Sequence, residues 1–491
     1  MKQVFHNLQT KEVEVREVAA PTLRPGGVLV RNHASLISTG TERTSVATGQ
    51  KSLVGMARSR PDLVRKVIDF AKRQGIMAAF HLVRDRLADW QALGYSGAGE
   101  VVDPGDCIDE FSRGDRVACA GVGYASHAEM IFVPRNLCVR IPDDVEYEEA
   151  SFTTLTAIAL QGLRQAEVSI GDVVLVTGLG LVGLLTVQLL KAAGAVVIGV
   201  DLQKTRLEQA RQFGADGVAL AGDEDLPDLV VSMTQGRGVD IALITASTSS
   251  SAPTVQAAGL LRDRGRLVAV GRVGMDLPFS PFYDKELEVR YSRSYGPGRY
   301  DADYEEKGRD YPIGYVRWTE RRNMEAALSL MAAGRLDTSK LISHRMPIEQ
   351  AEEAYDLILE SGSGEALAIV LTYPERETSQ ISHAFAPVPA STQKKCVIGW
   401  IGAGKFAQQA LLPHFESMDE VELRLAASAS GLSASRISER YGFILPAAGI
   451  DEIMADESIN TVVITTRHDS HAELVLRALE AGKENIYVEK P

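Results

Sequence analysis

Two glycine-rich segments of this chain have the residue types and spacing that a dinucleotide needs. The first, residues 178–183, reads GLGLVG and follows a short apolar run ending at Thr177. Its glycines allow a tight turn, a close approach of backbone N–H groups to a pyrophosphate, and close packing of a helix on a strand. The predicted contacts of this first cofactor site are Gly178, Gly180, Leu181, Val182 and Gly183.

An acidic residue lies where the ribose of such a cofactor would be bound. Asp201 follows Gly178 by 23 residues and ends a second apolar run, 196–200. A carboxylate there accepts hydrogen bonds from both ribose hydroxyls and repels a 2′-phosphate. The first site is therefore predicted to bind NAD rather than NADP.

The second glycine-rich segment, residues 402–407, reads GAGKFA and follows the apolar run 396–401. The next predicted strand ends at Ser428, so no carboxylate repels a 2′-phosphate and either NAD or NADP is expected. The predicted contacts of this second cofactor site are Gly402, Gly404, Lys405, Phe406 and Ser428.

Both segments require a strand before them and a helix after them. From residue 4 to about 145 the pattern instead predicts short strands separated by Pro/Gly turns, interrupted by a basic helical stretch at 43–90 with ten Lys/Arg and four Asp/Glu. That stretch is either a solvated insertion or a lid that meets an anionic substrate. Strands then alternate with helices to about residue 290, and again from residue 396, which predicts two parallel sheets.

Composition limits the possible functions. The net charge is −13, which argues against nucleic-acid binding. The four cysteines fall at no metal-ligand spacing, and the N-terminus lacks the apolar run of a signal peptide, so a reduced, cytoplasmic protein is expected. No run of 18 apolar residues occurs, and no membrane association is predicted.

Residues 1–372 resemble the medium-chain dehydrogenase/reductase superfamily, which has the zinc alcohol dehydrogenase fold. The matching pieces are the strand-rich start, Gly114-Asp115-Arg116-Val117, the first glycine loop and Gly265-Arg266-Leu267-Val268. The resemblance implies an α/β protein in which a GroES-like β-rich domain carries a nested Rossmann domain and a second Rossmann domain follows. The expected boundaries are 1–145 completed by 291–372 for the GroES-like substrate domain, 146–290 for the first Rossmann domain, 373–395 for a linker, and 396–491 for the second Rossmann domain.

The zinc ligands of that superfamily are replaced here. The Cys-Gly-x-Asp segment reads Thr39-Gly40-Thr41-Glu42, the Gly-His-Glu segment reads Gly94-Tyr95-Ser96, and the third position falls near Thr153-Thr154. Hydroxyl groups do not form a tetrahedral N/S zinc site, so no metal is predicted. Without a metal, another group must handle the alkoxide proton. Tyr95 is either this general acid, supported by Thr39 and Ser38, or a half-buried structural tyrosine.

An aromatic and arginine-rich segment, 293–322, follows the first predicted parallel sheet. Its two densest parts read RSYGPGRY and YPIGYVRW. Aromatic faces with arginines suit a sugar ring that carries phosphate or carboxylate groups. A tyrosine-rich packed loop is the alternative.

Residues 395–491 resemble the N-terminal half of the glucose–fructose oxidoreductase/inositol dehydrogenase (Gfo/Idh/MocA) family, through the loop ending at His471 and the closing Glu489-Lys490-Pro491. The resemblance makes Glu489 and Lys490 cofactor contacts, with Lys490 also a catalytic residue as a desolvated ammonium beside the nicotinamide. The substrate domain that follows this motif in the family is missing, so a truncated gene product is expected, a vestigial second unit being the alternative.

These features predict a fused, NAD(P)-dependent oxidoreductase that transfers hydride on a sugar or sugar-derivative alcohol or ketone, as in glycan or polysaccharide metabolism, and that forms a homo-oligomer. Two alternatives stay open. One is a cofactor-binding sensor or assembly protein without turnover, and the other is a zinc-free quinone or enoyl reductase.

Overall fold

The protein is described by a computed structural model over most of its length. The described residues are 1–7, 10–38, 40, 42–43, 90–105, 109–360, 366–374, 396–404, 406–415, 418–428, 431–447 and 449–490. The predicted basic insertion and almost all of the predicted linker lie outside them, as do Thr39, Lys405 and Pro491.

Strands within the described ranges form four sheets. In chain order they are Lys2–Asn7, Val13–Glu17, Gly27–Ser38, Trp90–Ala92, Ser96–Asp103, Arg116–Ala120, Met130–Pro134, Cys138–Arg140, Val173–Thr177, Val196–Asp201, Gly217–Leu220, Val239–Ile244, Leu261–Ala269, Glu288–Tyr291, His344–Pro347, Ala368–Thr372, Cys396–Ile401, Val421–Ala427, Leu445–Pro446, Thr461–Ile464 and Asn485–Val488.

Helices cover both parallel sheets and join the strand-rich part to them. The α-helices are Tyr147–Ala150, Thr153–Ala166, Leu181–Ala192, Lys204–Gln212, Leu226–Thr234, Ala252–Leu260, Phe279–Asp284, Ala302–Glu305, Glu320–Ala332, Ala351–Glu360, Leu412–Phe415, Gly431–Tyr441, Ile450–Ala455 and His471–Glu480. Short 3₁₀ turns occur at Arg135–Leu137, Ser339–Leu341, Ile348–Gln350 and His468–Ser470.

The first glycine loop belongs to a six-stranded parallel sheet, here called the first Rossmann sheet. Its strand order places Val173–Thr177 between Val196–Asp201 and Val239–Ile244. The central strand Val173–Thr177 is buried along its whole length, as expected for a parallel strand with helices on both faces. This order reverses beside the central strand, and ligands of such sheets bind outside the carboxyl ends of the strands at that point.

The N-terminal part of the chain forms two smaller layers. A three-stranded antiparallel sheet pairs Lys2–Asn7 with Val13–Glu17 and Trp90–Ala92. A seven-stranded sheet is organised around Gly27–Ser38, which is bonded to strands as distant in sequence as Ala368–Thr372. The chain therefore returns to this sheet after completing the first Rossmann sheet, which makes the Rossmann unit an insertion within the β-rich part.

The second glycine loop follows the central strand of a five-stranded parallel sheet, the second Rossmann sheet. Cys396–Ile401 lies between Val421–Ala427 and Thr461–Ile464. The sequence pattern predicts a regular helix from Gln408 to Phe415, whereas Ala407–Leu411 forms a π-helical turn before a short α-helix. Within the described residues, no helix is long and apolar enough to cross a bilayer.

A carboxyl group is buried where the aromatic and arginine-rich segment meets the helix Glu320–Ala332. Glu320 has no exposed surface, and in the described part of the chain neither of its carboxyl oxygens has a hydrogen-bond partner. Burial, followed by the nearby charge of Glu305 and opposed by Arg299, raises the pKa of Glu320 to about 9. At neutral pH this side chain is therefore a neutral acid in the folded protein.

Replacing Glu320 by glutamine is expected to stabilise the protein at pH 7 by about 1–3 kcal/mol. As the pH rises from about 4.5 towards 9, the unfolded chain releases this proton while the folded chain keeps it, so wild-type stability falls across that range. Urea unfolding at several pH values should show the difference between the variant and the wild type growing between pH 5 and 8. Glu325→Gln, an exposed change on the same helix, should show no such growth, and a constant difference for E320Q would contradict the prediction.

Candidate active site

The first glycine loop is closely packed at its two ends and open in the middle. Gly178 has φ +96°, and an added Cβ would come 2.5 Å from the backbone nitrogen of Ala246. A Cβ on Gly183 would come 1.9 Å from the carbonyl oxygen of Gly178. By contrast, nothing lies within 4 Å of a Cβ on Gly180. The open space is therefore beside Gly180, the glycine whose backbone is predicted to approach the pyrophosphate.

A helix N-terminus faces the same space. Gly180 is the N-cap of the helix Leu181–Ala192, and no side chain caps its free N–H groups. Leu181 is buried and Val182 half-buried, so their backbone groups rather than their side chains are available to a ligand. Unsatisfied N–H groups and the positive end of the helix dipole suit phosphate oxygens.

Asp201 supports this loop directly, which the sequence pattern did not reveal. Its Oδ2 accepts a hydrogen bond of 2.6 Å from the backbone N–H of Leu179, and its Oδ1 accepts one of 3.0 Å from Gln203. A carboxylate has about four acceptor sites, so both oxygens can still receive a ribose hydroxyl. The same side chain thus holds the phosphate loop and faces the position predicted for the ribose.

Replacing Asp201 by asparagine should weaken NAD binding by about tenfold and reduce the preference over NADP, because the negative charge is lost and one amide oxygen remains to accept hydrogen bonds. Calorimetric titration with both nucleotides measures this. Asp228→Asn, an exposed change on the neighbouring helix Leu226–Thr234, serves as the matched control. Equal NAD affinity in D201N and wild type would show that Asp201 does not contact the cofactor.

Tyr95 lies at the start of the strand Ser96–Asp103 and is 8% exposed. The preceding Gly94 has φ +94°, and its added Cβ would meet the backbone nitrogen of His127 at 2.6 Å. The Tyr95 ring belongs to the same continuous hydrophobic cluster as Leu179 and Leu181 of the glycine loop. A buried core thus connects the predicted acid to the predicted cofactor loop.

The hydroxyls that replace zinc ligands are engaged with backbone carbonyls. Ser96 Oγ donates to the carbonyl oxygen of Ser151 at 2.6 Å, and Thr153 Oγ1 donates to that of Ala150 at 2.6 Å. Thr154 Oγ1 lies 3.5 Å from the carbonyl oxygen of Cys119. Among the described residues no three His, Cys, Asp or Glu side chains come together. These donors do not fit a zinc ion, and the zinc-free character of the site stays a prediction.

A buried polar cluster lies beside these positions, and sequence reasoning missed it. His127 Nδ1 is 2.6 Å from Ser35 Oγ, which is 2.6 Å from the hydroxyl of Tyr373. His127 Nε2 is 3.4 Å from Glu42 Oε2, which also accepts a hydrogen bond from the hydroxyl of Tyr355. All five side chains are at most 9% exposed. Tyr373, assigned to the linker in the sequence-based boundaries, is therefore anchored within the β-rich part.

Electrostatic effects connect this cluster to Tyr95. Burial raises the pKa of Tyr355 well above its usual range, and the negative charge of Glu42 raises it further, with a smaller contribution from Tyr95. Burial likewise raises the pKa of Tyr373. Both tyrosines are thus neutral at physiological pH, and Tyr355 donates its hydroxyl proton to Glu42. Of the five residues of this cluster, only Glu42 lies in a segment with a predicted role, because it ends the segment that corresponds to Cys-Gly-x-Asp. The other four belong to none of the motifs found in the sequence.

The second glycine loop repeats the pattern of the first. Gly402 has φ +106°, and its added Cβ would come 2.6 Å from the backbone of Thr465. Gly404 has open space, with its nearest neighbour at 3.9 Å. Trp400 Nε1 donates a 2.9 Å hydrogen bond to Thr465 Oγ1, and so connects the strand before the second glycine loop to the residue that contacts Gly402. Phe406 is 47% exposed.

The remaining predicted contacts of the second site lie at the same sheet edge. Ser428 follows the strand Val421–Ala427, and the backbone N–H of Glu489 donates to the carbonyl oxygen of Ile464. Lys490 is exposed, so the described residues do not bury its ammonium group, whereas the sequence predicted a desolvated one. Ser428, Glu489 and Lys490 therefore border the carboxyl edge of the sheet, which is where ligands of such sheets bind.

The aromatic and arginine-rich segment contains buried and exposed parts. Tyr295 and Tyr304 are at most 3% exposed, whereas Tyr300 and Tyr315 are 61% and 91% exposed. Arg299 pairs with the buried carboxylate of Glu305. Tyr295 and Tyr304 are accordingly packed in the core, as in the tyrosine-rich loop that the sequence left open as one of two alternatives, whereas Tyr300 and Tyr315 keep exposed rings.

Comparisons with known proteins agree with this geometry. Residues 182–306 match the zinc-binding dehydrogenase family, and residues 396–491 match an oxidoreductase family with an NAD-binding Rossmann fold, Gfo/Idh/MocA. The chain is 26% identical over 317 residues to sorbitol dehydrogenase of Bacillus subtilis, covering 58% of this chain and 81% of that protein. It is 27% identical over 283 residues to D-guloside 3-dehydrogenase of Escherichia coli, covering 57% and 77%.

Solved structures show the same fold. Alcohol dehydrogenase TADH from Thermus superposes with a TM-score of 0.58 at 23% identity, covering 76% of this chain and all of that chain. Galactitol-1-phosphate dehydrogenase from Escherichia coli gives a TM-score of 0.58 at 19% identity, with the same coverage. The predicted fold class, a GroES-like part with a nested Rossmann unit and a second Rossmann domain, is confirmed.

Fold, loop geometry and family matches together define an oxidoreductase that binds a nicotinamide cofactor and acts on a small molecule. More particularly, the chain joins a segment that matches the zinc-binding dehydrogenase family, residues 182–306, to a segment that matches the Gfo/Idh/MocA family, residues 396–491.

Proposed function

We propose that this protein is an NAD-dependent dehydrogenase that interconverts a sugar alcohol, or a related sugar-derived alcohol, and its ketone. The proteins similar to this chain, each over more than half of its length, include dehydrogenases named for sorbitol and D-guloside and a probable reductase named for D-xylulose. These names share a polyhydroxylated substrate with a secondary alcohol or ketone, and we extend that substrate class to this chain.

One observation carries the cofactor assignment. Asp201 accepts the backbone N–H of Leu179 within the loop whose open position is Gly180, so a single carboxylate links the phosphate loop to the ribose position. We assign NAD to this first site for that reason. In the second site, Ser428 occupies the position that corresponds to Asp201. Because serine does not repel a 2′-phosphate, we propose that this site accepts NAD or NADP.

The chain's own residues would orient the alcohol and handle its proton. Bound NAD supplies the hydride acceptor. Tyr95 hydrogen-bonds the substrate oxygen: as the phenol it donates its proton to the oxygen of a ketone that receives hydride, and as the phenolate it takes the proton of an alcohol that gives up hydride. Ser38 and Thr39 hold that oxygen in place. The buried surroundings of Tyr95 exclude water and strengthen these hydrogen bonds. In the second unit, Lys490 stays a proposed catalytic residue.

The test is to incubate the full chain with NAD and sorbitol, xylitol or a methyl guloside, and with NADH and D-xylulose or D-fructose, while following absorbance of the reduced cofactor. Turnover of at least one polyol or ketose is expected. Tight cofactor binding without turnover across the panel would favour the sensor. Turnover of 2-cyclohexenone or a quinone alone would favour the enoyl or quinone reductase.

Assembly and location are inferred from the sequence. A homo-oligomer, no nucleic-acid partner and no membrane partner are proposed, together with a cytoplasmic location based on the cysteine pattern. Size-exclusion chromatography with light scattering tests the first of these, because a monomer at micromolar concentration would contradict it.

A further inference from the structure

A cavity of about 440 Å³ lies at the C-terminal end of the helix Leu181–Ala192, the end opposite the glycine loop. Two further helices, Thr153–Ala166 and Glu320–Ala332, complete its walls. Its volume falls within the range of small-molecule sites, roughly 300–1,000 Å³. Most of its lining is aliphatic: Leu160, Leu163, Val168, Leu189, Ala193 and Leu330.

The polar part of this cavity is formed by Arg164, Glu167 and Trp318. Arg317 contacts Trp318 without lining the cavity. The guanidinium carbon of Arg164 lies 3.3 Å from the ring centroid of Trp318, and that of Arg317 lies 3.9 Å from the same ring. Arg164 Nε donates a 2.6 Å hydrogen bond to the side-chain oxygen of Asn323. The guanidinium of Arg164 is thus held in one orientation at the cavity wall, by stacking and by this hydrogen bond.

The positive charge has no matching carboxylate. In the described part of the chain, neither Arg164 nor Arg317 lies within 4 Å of an acidic side chain. Glu167, which also lines the cavity, pairs instead with Arg266 and Arg290. Burial, followed by the like charge of Arg317, lowers the pKa of Arg164 to about 10. An anion in the cavity would therefore compensate a charge that the described residues leave without an ion-pair partner.

We propose that this cavity is a binding site for an amphiphilic anion, whose carboxylate or phosphate head pairs with Arg164 beside Trp318 and whose aliphatic chain packs on the leucines. Arginine binds both kinds of head through parallel N–H donors. The site is separate from both glycine loops and does not depend on the proposed function.

Calorimetric titration of the full chain tests the proposal, with octanoate and octyl phosphate as probes. At least one should bind saturably, and a preference between them identifies the head group. Octan-1-ol and inorganic phosphate, which each supply only half of the ligand, should bind at least about tenfold more weakly. Because the chain has only three tryptophans, binding should also change the emission of the wild type and not that of Trp318→Phe.

Arg164→Gln should lower the affinity for the tighter-binding probe by about tenfold or more. Arg237→Gln, at an exposed turn, should leave that affinity unchanged. NAD affinity should be the same in both variants, which separates this site from the dinucleotide sites. Absence of saturable binding by either probe would overturn the proposal. So would octanol binding as tightly as octanoate, or unchanged affinity in R164Q with its fold verified by circular dichroism.

Discussion

Replacing Tyr95 by phenylalanine is expected to lower kcat for the best polyol or ketose by about 100-fold or more, with NAD affinity unchanged. A positioned general acid contributes roughly 10²–10⁴-fold to such reactions. The variant removes one oxygen from a ring that is 8% exposed and packed in the core, so the fold should be retained. Steady-state kinetics with calorimetric NAD titration separates the two effects.

Tyr304→Phe is the matched control for this change. Tyr304 is also buried, at 1% exposed, but it lies in the aromatic and arginine-rich segment and stacks on Tyr311. If Y95F turns over at the wild-type rate, Tyr95 is a structural tyrosine. The neighbouring Glu42 and His127 would then be the next groups to examine as proton acceptors.

Alanine at Gly180 should weaken NAD binding by about tenfold to 100-fold while changing the free energy of unfolding by less than about 0.5 kcal/mol. The free protein has room for this methyl group, because nothing lies within 4 Å of it. A pyrophosphate bound at backbone distance would not leave that room. Calorimetry and urea unfolding measure the two quantities.

Gly183→Ala supplies the contrast. Its methyl group would come 1.9 Å from the carbonyl oxygen of Gly178, so this variant should lose about 1–3 kcal/mol of stability as well as cofactor binding. Gly404→Ala tests the second loop in the same way, since its surroundings are open too. If G180A binds NAD as tightly as the wild type, while G404A does not, the NAD site was assigned to the wrong Rossmann unit.

The sequence reveals the two dinucleotide loops because their information is local. A strand, a glycine turn and a helix follow one another within about thirty residues, although the close contacts at Gly178 and Gly402 come from the distant residues Ala246 and Thr465. Asp201 was predicted from the same spacing. Its hydrogen bond to Leu179 shows that the pattern captured the position of this residue and missed its second role.

Patterns of residue type were less informative where the chain folds back on itself. The aromatic and arginine-rich segment had two interpretations of similar weight, because composition does not say which side chains face the core. Folding buried Tyr295 and Tyr304 and left Trp318 against Arg164 at a cavity wall. The sequence likewise identified the hydroxyl side chains at the positions of the zinc ligands. It did not reveal that Ser96 and Thr153 donate hydrogen bonds to backbone carbonyl oxygens.

Fold class and the two glycine loops could be inferred from the amino-acid sequence, because strand and helix periods and short motifs are properties of neighbouring residues, while the zinc-free character of the site stays a prediction. Tertiary structure alone brought together Ser35, Glu42, His127, Tyr355 and Tyr373, since these residues come from four distant segments and meet only when the strand Ala368–Thr372 pairs with Gly27–Ser38. It alone also buried Glu320 without a hydrogen-bond partner, and placed Arg164 without a carboxylate within 4 Å, among the residues that the structure describes. The energies of buried polar groups depend on which distant atoms surround them, and that is decided by packing.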